Sequence, residues 1–318
     1  MHRSAAPLLF AILGFANLAP AVAADSSFRV VLLGSGVPDP SPTRFSASTL
    51  IEAGDQKLLI DVGRGATIRL YQLHIPLSKV DVVFFTHYHS DHTIGLPDLL
   101  LTGWLPPPFA RRTTPLHVIG PTGAKNLLSG LAAAYNADIK GREEEQHLPA
   151  EGVAANVEEF AQDGVVYNKG GVKVTAFTVE HGIKPAVGYR IDYDSRSVVL
   201  SGDTNVNENV IKHGEGADLL IHEVFAIKQE LLKEPAFQKI LSIHTTPSQA
   251  GTVFTRTHPK LAVYTHIAQF GTPAVSAPSI GEIVNETRQT YQGPLVVGED
   301  LMTFDVGRGG VAVYREAP

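Results

Sequence analysis

The sequence predicts a domain of the α/β class, α+β in its arrangement, built from two similar β-rich halves. Three observations lead there. Short apolar runs, many of them rich in β-branched residues, recur along the chain and alternate with segments of helical pattern. No low-complexity linker divides the chain. Several of the apolar runs end in a histidine or an aspartate, which places the reactive side chains where strands stop and loops held by a rigid scaffold begin.

Residues 1–24 read as a secretory signal peptide. His2 and Arg3 form a basic start, Ala5 to Ala19 is almost wholly apolar, and Ala21-Val22-Ala23-Ala24 offers small residues for cleavage after Ala23 or Ala24. Gly14, Asn17 and Pro20 interrupt the stretch, which is short of the roughly 20 apolar residues of a membrane span. With no cysteine to accept a lipid, a lipoprotein is excluded. The expectation is an exported protein, periplasmic or secreted, free of the membrane after cleavage, with one domain over residues 25–318. Lacking cysteine, that domain forgoes disulfides and depends on its core and any metal. The 26 Lys and Arg against 32 Asp and Glu give a net charge of −6, and loss of Arg3 with the leader makes it −7. An acidic body lacks the basic footprint of a nucleic-acid binder.

In chain order, Phe28–Leu33 reads as the first strand and ends in Gly34-Ser35-Gly36. A glycine pair after a strand suggests a dinucleotide loop, but the third glycine is missing and Pro38, Pro40 and Pro42 forbid the helix that must follow. Strands at 47–53 and 57–61 join through a Gly54-Asp55 turn, and Ala66–Leu73 reads as a short helix. Asp61, at a strand end, either orients a metal-bound histidine or caps the next helix. Val80–Phe85 reads as a strand buried on both faces. It delivers Thr86-His87-Tyr88-His89-Ser90-Asp91-His92 on a loop, followed by a turn and a helix from Pro97. Three histidines and an aspartate within six residues, with no thiolate, suit zinc, manganese or iron. His87 and His89 can converge on one cation, while the adjacent Asp91 and His92 point differently and can reach a second.

Gly103–Pro108 reads as a stiff loop that carries the only tryptophan, Trp104, chiefly as a packing residue. Leu116–Ile119 is a strand, followed by a helix to about Ala134, and the polar residues 136–156 read as a solvated connection. In the second half, Val172–Glu180 is a strand ending in His181. Gly188–Asp192 and Ser197–Leu200 pair as a hairpin ending in Gly202-Asp203-Thr204, and Asn207–His213 is helical. Asp218–Ile221 is a strand ending in His222-Glu223. His244-Thr245-Thr246 precedes a helix over Pro247–Thr257, and Leu261–Thr265 is a strand ending in His266. A helix over 279–291 and strands near 294–297 and 301–305 finish the chain.

Residues 87, 89, 91, 92, 181, 203 and 266 thus all follow predicted strands, and strand ends from one sheet edge gather in one place. Seven such ligands suffice for two cations, each taking about three and leaving a position open for water. Asp203, alone in its tight turn, is the natural bridge. His74, His117, His147, His213 and His258 read as structural or surface residues, and His222 less surely so.

Thr86–His92 with Gly95, and then His181, Gly202-Asp203-Thr204 and Thr265-His266, match the signature of the metallo-β-lactamase superfamily over nearly the whole mature chain. The resemblance implies an αββα sandwich, two packed β-sheets with helices outside, and a binuclear zinc site at one edge. It implies that His87, His89 and His181 hold the first metal, Asp91, His92 and His266 the second, with Asp203 bridging. Ala217–Glu223, and His244-Thr245-Thr246 with Gln249-Ala250-Gly251, resemble the ribonuclease Z branch and its arylsulfatase and phosphodiesterase relatives. In that branch the histidine assists catalysis and the glutamate holds it. His244 is therefore expected to assist the leaving group, Glu223 to orient His244, and Asp91 to bind metal and aim the nucleophile. Homodimers are common in the branch, although no interface signature is legible here.

One departure matters. Ribonuclease Z carries a long tRNA-gripping arm between its Gly-Tyr-Arg segment and its Gly-Asp-Thr turn, whereas here only Ile191 to Ser201 separate Gly188-Tyr189-Arg190 from Gly202-Asp203-Thr204. With the leader and the acidic charge, this disfavours transfer-RNA processing. The expected substrate is a small-molecule ester, a sulfate ester or a phosphodiester. A lactone or β-lactam is the competing enzymatic reading, and a metal-binding protein without activity is the competing class.

Overall fold

The computed structural model describes residues 27–315, so the expected signal peptide lies outside the described residues. Six strands of the first half pair in chain order: β1 (Phe28–Gly34), β2 (Ser48–Ala53), β3 (Gln56–Ile60), β4 (Val82–Phe84), β5 (Leu116–Pro121) and β6 (Ala155–Phe160). The second half forms another sheet from β7 (Gly164–Lys169), β8 (Val172–Thr178), β9 (Val187–Tyr193), β10 (Arg196–Leu200), β11 (Leu219–Ile227), β12 (Leu261–Phe270) and β13 (Leu295–Val297). The hairpin β14 (Met302–Gly307) and β15 (Gly310–Arg315) returns to the first sheet and pairs with β1.

Each sheet is mixed. The runs β3–β6 and β10–β13 are parallel, and the remaining pairs are antiparallel. The sequence pattern explains the layering. Side chains alternate across a strand, so the strands buried on both faces divide their apolar residues between two interfaces. Val30, Leu32, Leu58 and Phe84 of the first sheet meet Val174, Tyr189, Ile191 and Ile221 of the second in one inter-sheet core. Val31, Leu59, Val83 and Phe85 face outward to cover helices Leu96–Trp104 and Ala124–Ala134. Leu220, Val224 and Tyr264 do the same for helices Glu208–Gly214 and Pro247–Thr257. The result is four layers, helix–sheet–sheet–helix.

Most predicted elements lie within a residue or two of those observed. The helix at Pro247–Thr257 begins with a capping box in which Thr246 and Gln249 satisfy each other's backbone amides. Four expectations change. Residues 136–156 are not a plain connection: they contain an exposed helix, Asn136–Gln146, and the start of edge strand β6, whose polar face left no apolar alternation to read. Ser90–Thr93 is one helical turn, so the ligand-rich string is only partly a loop. Trp104 ends a helix and is buried, its Nε1–H donating to the Pro149 carbonyl at 2.9 Å. Finally, β11 and β12 run on past His222-Glu223 and His266, which lie mid-strand.

Candidate active site

The carboxyl ends of β3, β4, β8 and β10 meet at one edge of the sandwich, where β11 and β12 also pass. The string 87–92 follows β4, Asp61 follows β3, His181 follows β8 and Asp203 follows β10. All seven predicted ligands converge there. His87, His89, His181 and Asp203 form one group and Asp91, His92 and His266 another, each with its ligand atoms within 4.8 Å of one another. His89 Nδ1 lies 3.0 Å from His87 Nε2 and 3.1 Å from His181 Nε2. Asp203 Oδ2 lies 3.8 Å from His87 Nε2 and from His181 Nε2. On its other side the same oxygen is 3.4 Å from His92 Nε2 and 3.2 Å from His266 Nε2. Asp91 Oδ2 is 3.2 Å from His266 Nε2 and 3.6 Å from His92 Nε2.

These spacings fit divalent metal ions. Metal–ligand bonds of about 2.1 Å in tetrahedral geometry separate neighbouring donors by about 3.4 Å, the middle of the observed range. The remaining ring nitrogens set the tautomers. His181 Nδ1–H donates to the Ile243 carbonyl at 3.0 Å, and His92 Nδ1–H to Asp61 Oδ2 at 2.7 Å. His87 Nδ1 lies 3.0 Å from the Thr86 hydroxyl, which itself donates to Asp61 Oδ2 at 2.7 Å. The Nε2 lone pairs are thereby aimed inward, as metal ligation requires, and His92 Nε2 is buried without a hydrogen-bond partner.

Charge leads to the same conclusion. Burial disfavours a charged ring, and it holds His87 well below the usual imidazole range and His181 down at about 4. Burial alone would push Asp91 and Asp203 up, but the surrounding imidazoles outweigh it, holding Asp91 below and Asp203 well below the carboxylate range. His92 is driven well above its ordinary value: burial opposes the charge, and Asp203 and Asp61 overcome it. Among the described residues, the ion-pair partners of Asp61, Asp91 and Asp203 are all histidines. Buried carboxylates without Lys or Arg call for another source of positive charge.

The backbone shows how these residues are brought in. Asp61 does not cap the following helix, whose N-cap Gly65 receives no side-chain bond. It accepts instead from Thr86 N–H at 2.8 Å, which decides between its two predicted roles. Gly202 sits at φ +61°, and a Cβ there would meet the Val187 carbonyl oxygen at 2.6 Å, so the turn that presents Asp203 needs glycine. His266 depends on a bulge. Ala262 and Tyr264 face the helical layer, and regular alternation would send His266 there too. The β11–β12 register jumps from Glu223↔Thr265 to Val224↔Ile267, leaving His266 as the extra residue at φ +43° and turned into the site.

Alternation also separates His222 from Glu223. His222 points into the helical layer, edge-on to Phe254, and burial lowers its pKa to about 4. Glu223 faces the site, where its Oε1 accepts from His244 Nδ1–H at 2.8 Å and from Thr204 N–H at 3.0 Å. His244 stacks on Phe225 and packs against His181, and a ring nitrogen of it lies within 4.8 Å of ligand atoms of Asp203 and His266. Burial works against a charged His244, but the Glu223 carboxylate outweighs it and lifts the imidazole to about 9. Burial raises Glu223 as well, yet the shared proton belongs on His244, whose side chain is 11% exposed against 1% for the acid.

Thr86 is the functional residue that sequence reasoning missed. Its signal was its place between strand β4 and His87, with a hydroxyl in reach of both Asp61 and His87.

A profile described as a β-lactamase superfamily domain matches residues 56–267. The ribonuclease Z of Mycolicibacterium gilvum (strain PYR-GCK) is 34% identical over 242 residues, covering 75% of this chain and 83% of that protein. That of Mycobacterium marinum (strain ATCC BAA-535 / M) is 30% identical over 282 residues, covering 87% and 98%. The metallo-β-lactamase fold protein YhfI from Bacillus subtilis superposes with a TM-score of 0.68 at 19% identity, over 87% of this chain and 98% of its own. The short form of human tRNase Z gives 0.64 at 24%, over 88% and 99%. The zinc-bound PqqB of Methylobacterium extorquens gives 0.60 at 16%, over 87% and 99%.

Proposed function

Because this chain belongs to the metallo-β-lactamase superfamily, as a metal-dependent hydrolase related to ribonuclease Z, we propose that it cleaves a small-molecule ester, a sulfate ester or a phosphodiester, after export. His87, His89 and His181 with Asp203 would hold one divalent ion, and Asp91, His92 and His266 with Asp203 the other. Zinc is the first candidate, and manganese or iron suit the same donors. Such ions supply Lewis acidity toward the ester oxygen and a water acidified to near pH 7.

The chain's own groups do the rest. Asp91, held ionised, accepts a hydrogen bond from the attacking water and aims it. His244 carries a proton on the ring nitrogen not used by Glu223 and delivers it to the departing oxygen. Glu223 fixes the tautomer and plane of His244 and balances its charge. Asp61 and Thr86 orient His92 and His87. The pattern of residues 1–24 supports export.

The observation that carries the small-molecule reading is the turn between β9 and β10. Tyr193 and Arg196 pair directly, and only Asp194 and Ser195, at φ +48° and +61°, connect them. A two-residue turn offers nothing with which to grip a long polyanion, and the net charge of −6 repels one.

Metal analysis followed by turnover of an aryl sulfate, a bis-aryl phosphodiester and a lactone tests the proposal. Two ions per chain with hydrolysis of either of the first two supports it. Hydrolysis of the lactone alone replaces it with a lactonase, and two ions with no turnover replaces it with a non-catalytic metal-binding protein.

A further inference from the structure

Beyond its ligands, the cleft is apolar. A cavity of about 280 Å³ opens over the histidine–aspartate cluster, and Val37, Pro38, Ile240, Ile243, Ala268 and Phe270 form its remaining wall beside Ser90. Among the described residues lining it there is no lysine or arginine. The wall is built into the site. The Ile243 carbonyl accepts from the ligand-set residue His181, and Phe270 packs on Phe225 at 5.0 Å and on Phe237 at 6.2 Å. Phe225 in turn stacks on His244 at 5.7 Å. Ile240 and Ile243 come from the segment just before His244, so the apolar wall and the proposed acid stand side by side.

We infer that this wall binds one bulky apolar substituent of the substrate, about the size of a phenyl ring, next to the bond that is cut, and that the substrate carries at most one negative charge. This rests on reading the cluster as a hydrolytic centre. Size and charge both enter. A cavity of about 150 Å³ lined by Leu, Ile and Phe takes up benzene, so 280 Å³ holds a ring with the ester group beside it. Aliphatic and aromatic walls favour apolar surface by about 25 cal/mol per Å² removed from water. A second phosphate or a carboxylate on that substituent would lie against apolar carbon with no lysine or arginine to meet it, the charge of His244 being balanced by Glu223.

Binding to the zinc-loaded protein separates this inference from the reading it rests on. Calorimetry compares two monoanionic ligands that carry only P–C substituents and no ester bond, methyl(phenyl)phosphinate and dimethylphosphinate, in the wild type and in Ile240→Asn and Ile243→Asn. The phenyl phosphinate should bind roughly ten- to a hundredfold more tightly to the wild type. That ratio should collapse toward one in the variants while their zinc content stays at the wild-type level. Ile240→Ala and Ile243→Ala serve if an asparagine variant fails to fold. Equal affinity of the two ligands for the wild type, or a preference that survives both substitutions, overturns the apolar pocket. A preference in protein that hydrolyses no sulfate ester or phosphodiester upholds the pocket and overturns the ester reading alone.

Discussion

Replacing Glu223 by glutamine tests the catalytic dyad without changing its shape. The glutamine oxygen can still accept from His244 Nδ1–H, but the carboxylate charge is gone. In the structure Glu223 is 1% exposed and its Oε1 lies 2.8 Å from His244 Nδ1. Burial alone would lower the imidazole, and Glu223 chiefly lifts it to about 9 from an ordinary 6.5. Holding the ring near 9 corresponds to roughly 3 kcal/mol of preference for its charged form. Removing the charge should return His244 to 6.5 or below. At pH 7.5 the protonated fraction then drops from nearly all to less than about a tenth.

In the metal-free protein, the ring should therefore titrate near 9 in the wild type and at least 2 units lower in Glu223→Gln, followed by nuclear magnetic resonance of the His244 ring protons. Bound dications lower both values but keep their order. In the loaded enzyme, turnover at pH 7.5 should fall by about tenfold or more with metal content unchanged, in step with the protonated fraction, and the alkaline limb of the rate profile should move to lower pH. Linkage runs in the same sense. A folded-state pKa raised above 6.5 contributes stability that is complete below about 6.5 and is lost as pH rises through about 9, and Glu223→Gln should lack that loss. A His244 that still titrates near 9 in the variant would refute the assignment of its shift to Glu223.

Three further outcomes follow from the same geometry. Asp61→Asn should weaken metal binding by about 10–100-fold through misoriented His92 and His87, measured by chelator competition; unchanged affinity would show that the Asp61–Thr86 relay does not position the ligands. Gly202→Ala should destabilise by about 1–3 kcal/mol in urea unfolding, because its φ of +61° and the Val187 oxygen at 2.6 Å leave no room for a Cβ; a loss under half a kilocalorie would contradict the strained turn. His222 is depressed to about 4 by burial, so its contribution is complete above about 6.5 and is lost as pH falls through that window. His222→Leu should therefore lose roughly 3 kcal/mol less than the wild type between pH 7 and pH 4, and parallel pH-stability curves would rule this out.

How much was legible before folding varied with the range of the interaction. His87, His89, Asp91 and His92 could be read as candidate ligands because they are close in sequence and follow a doubly buried apolar run. The helix at Pro247–Thr257 could be bounded because its capping box and its proline at the first turn are local. Strand β6 and the helix at Asn136–Gln146 were missed because their exposed faces carry no apolar period. Strand ends at His222 and His266 were misplaced because the polar residues that mark the site sit inside strands that continue beyond it. A polar residue inside a strand resembles a strand end until its neighbours across the sheet are known.

The sequence by itself determined which histidines and aspartates gather at the site, the strands and helices that carry them, and the absence of room for an arm between β9 and β10. These depend on residue type and on spacings along the chain. Only the tertiary structure decided that Asp61 orients histidines and does not cap a helix, that Glu223 and not His222 faces His244, and that His266 is brought round by one extra residue in β12. Each of these depends on which face of a strand a side chain occupies and on its register against a strand distant in sequence. Pairing between strands sets both quantities.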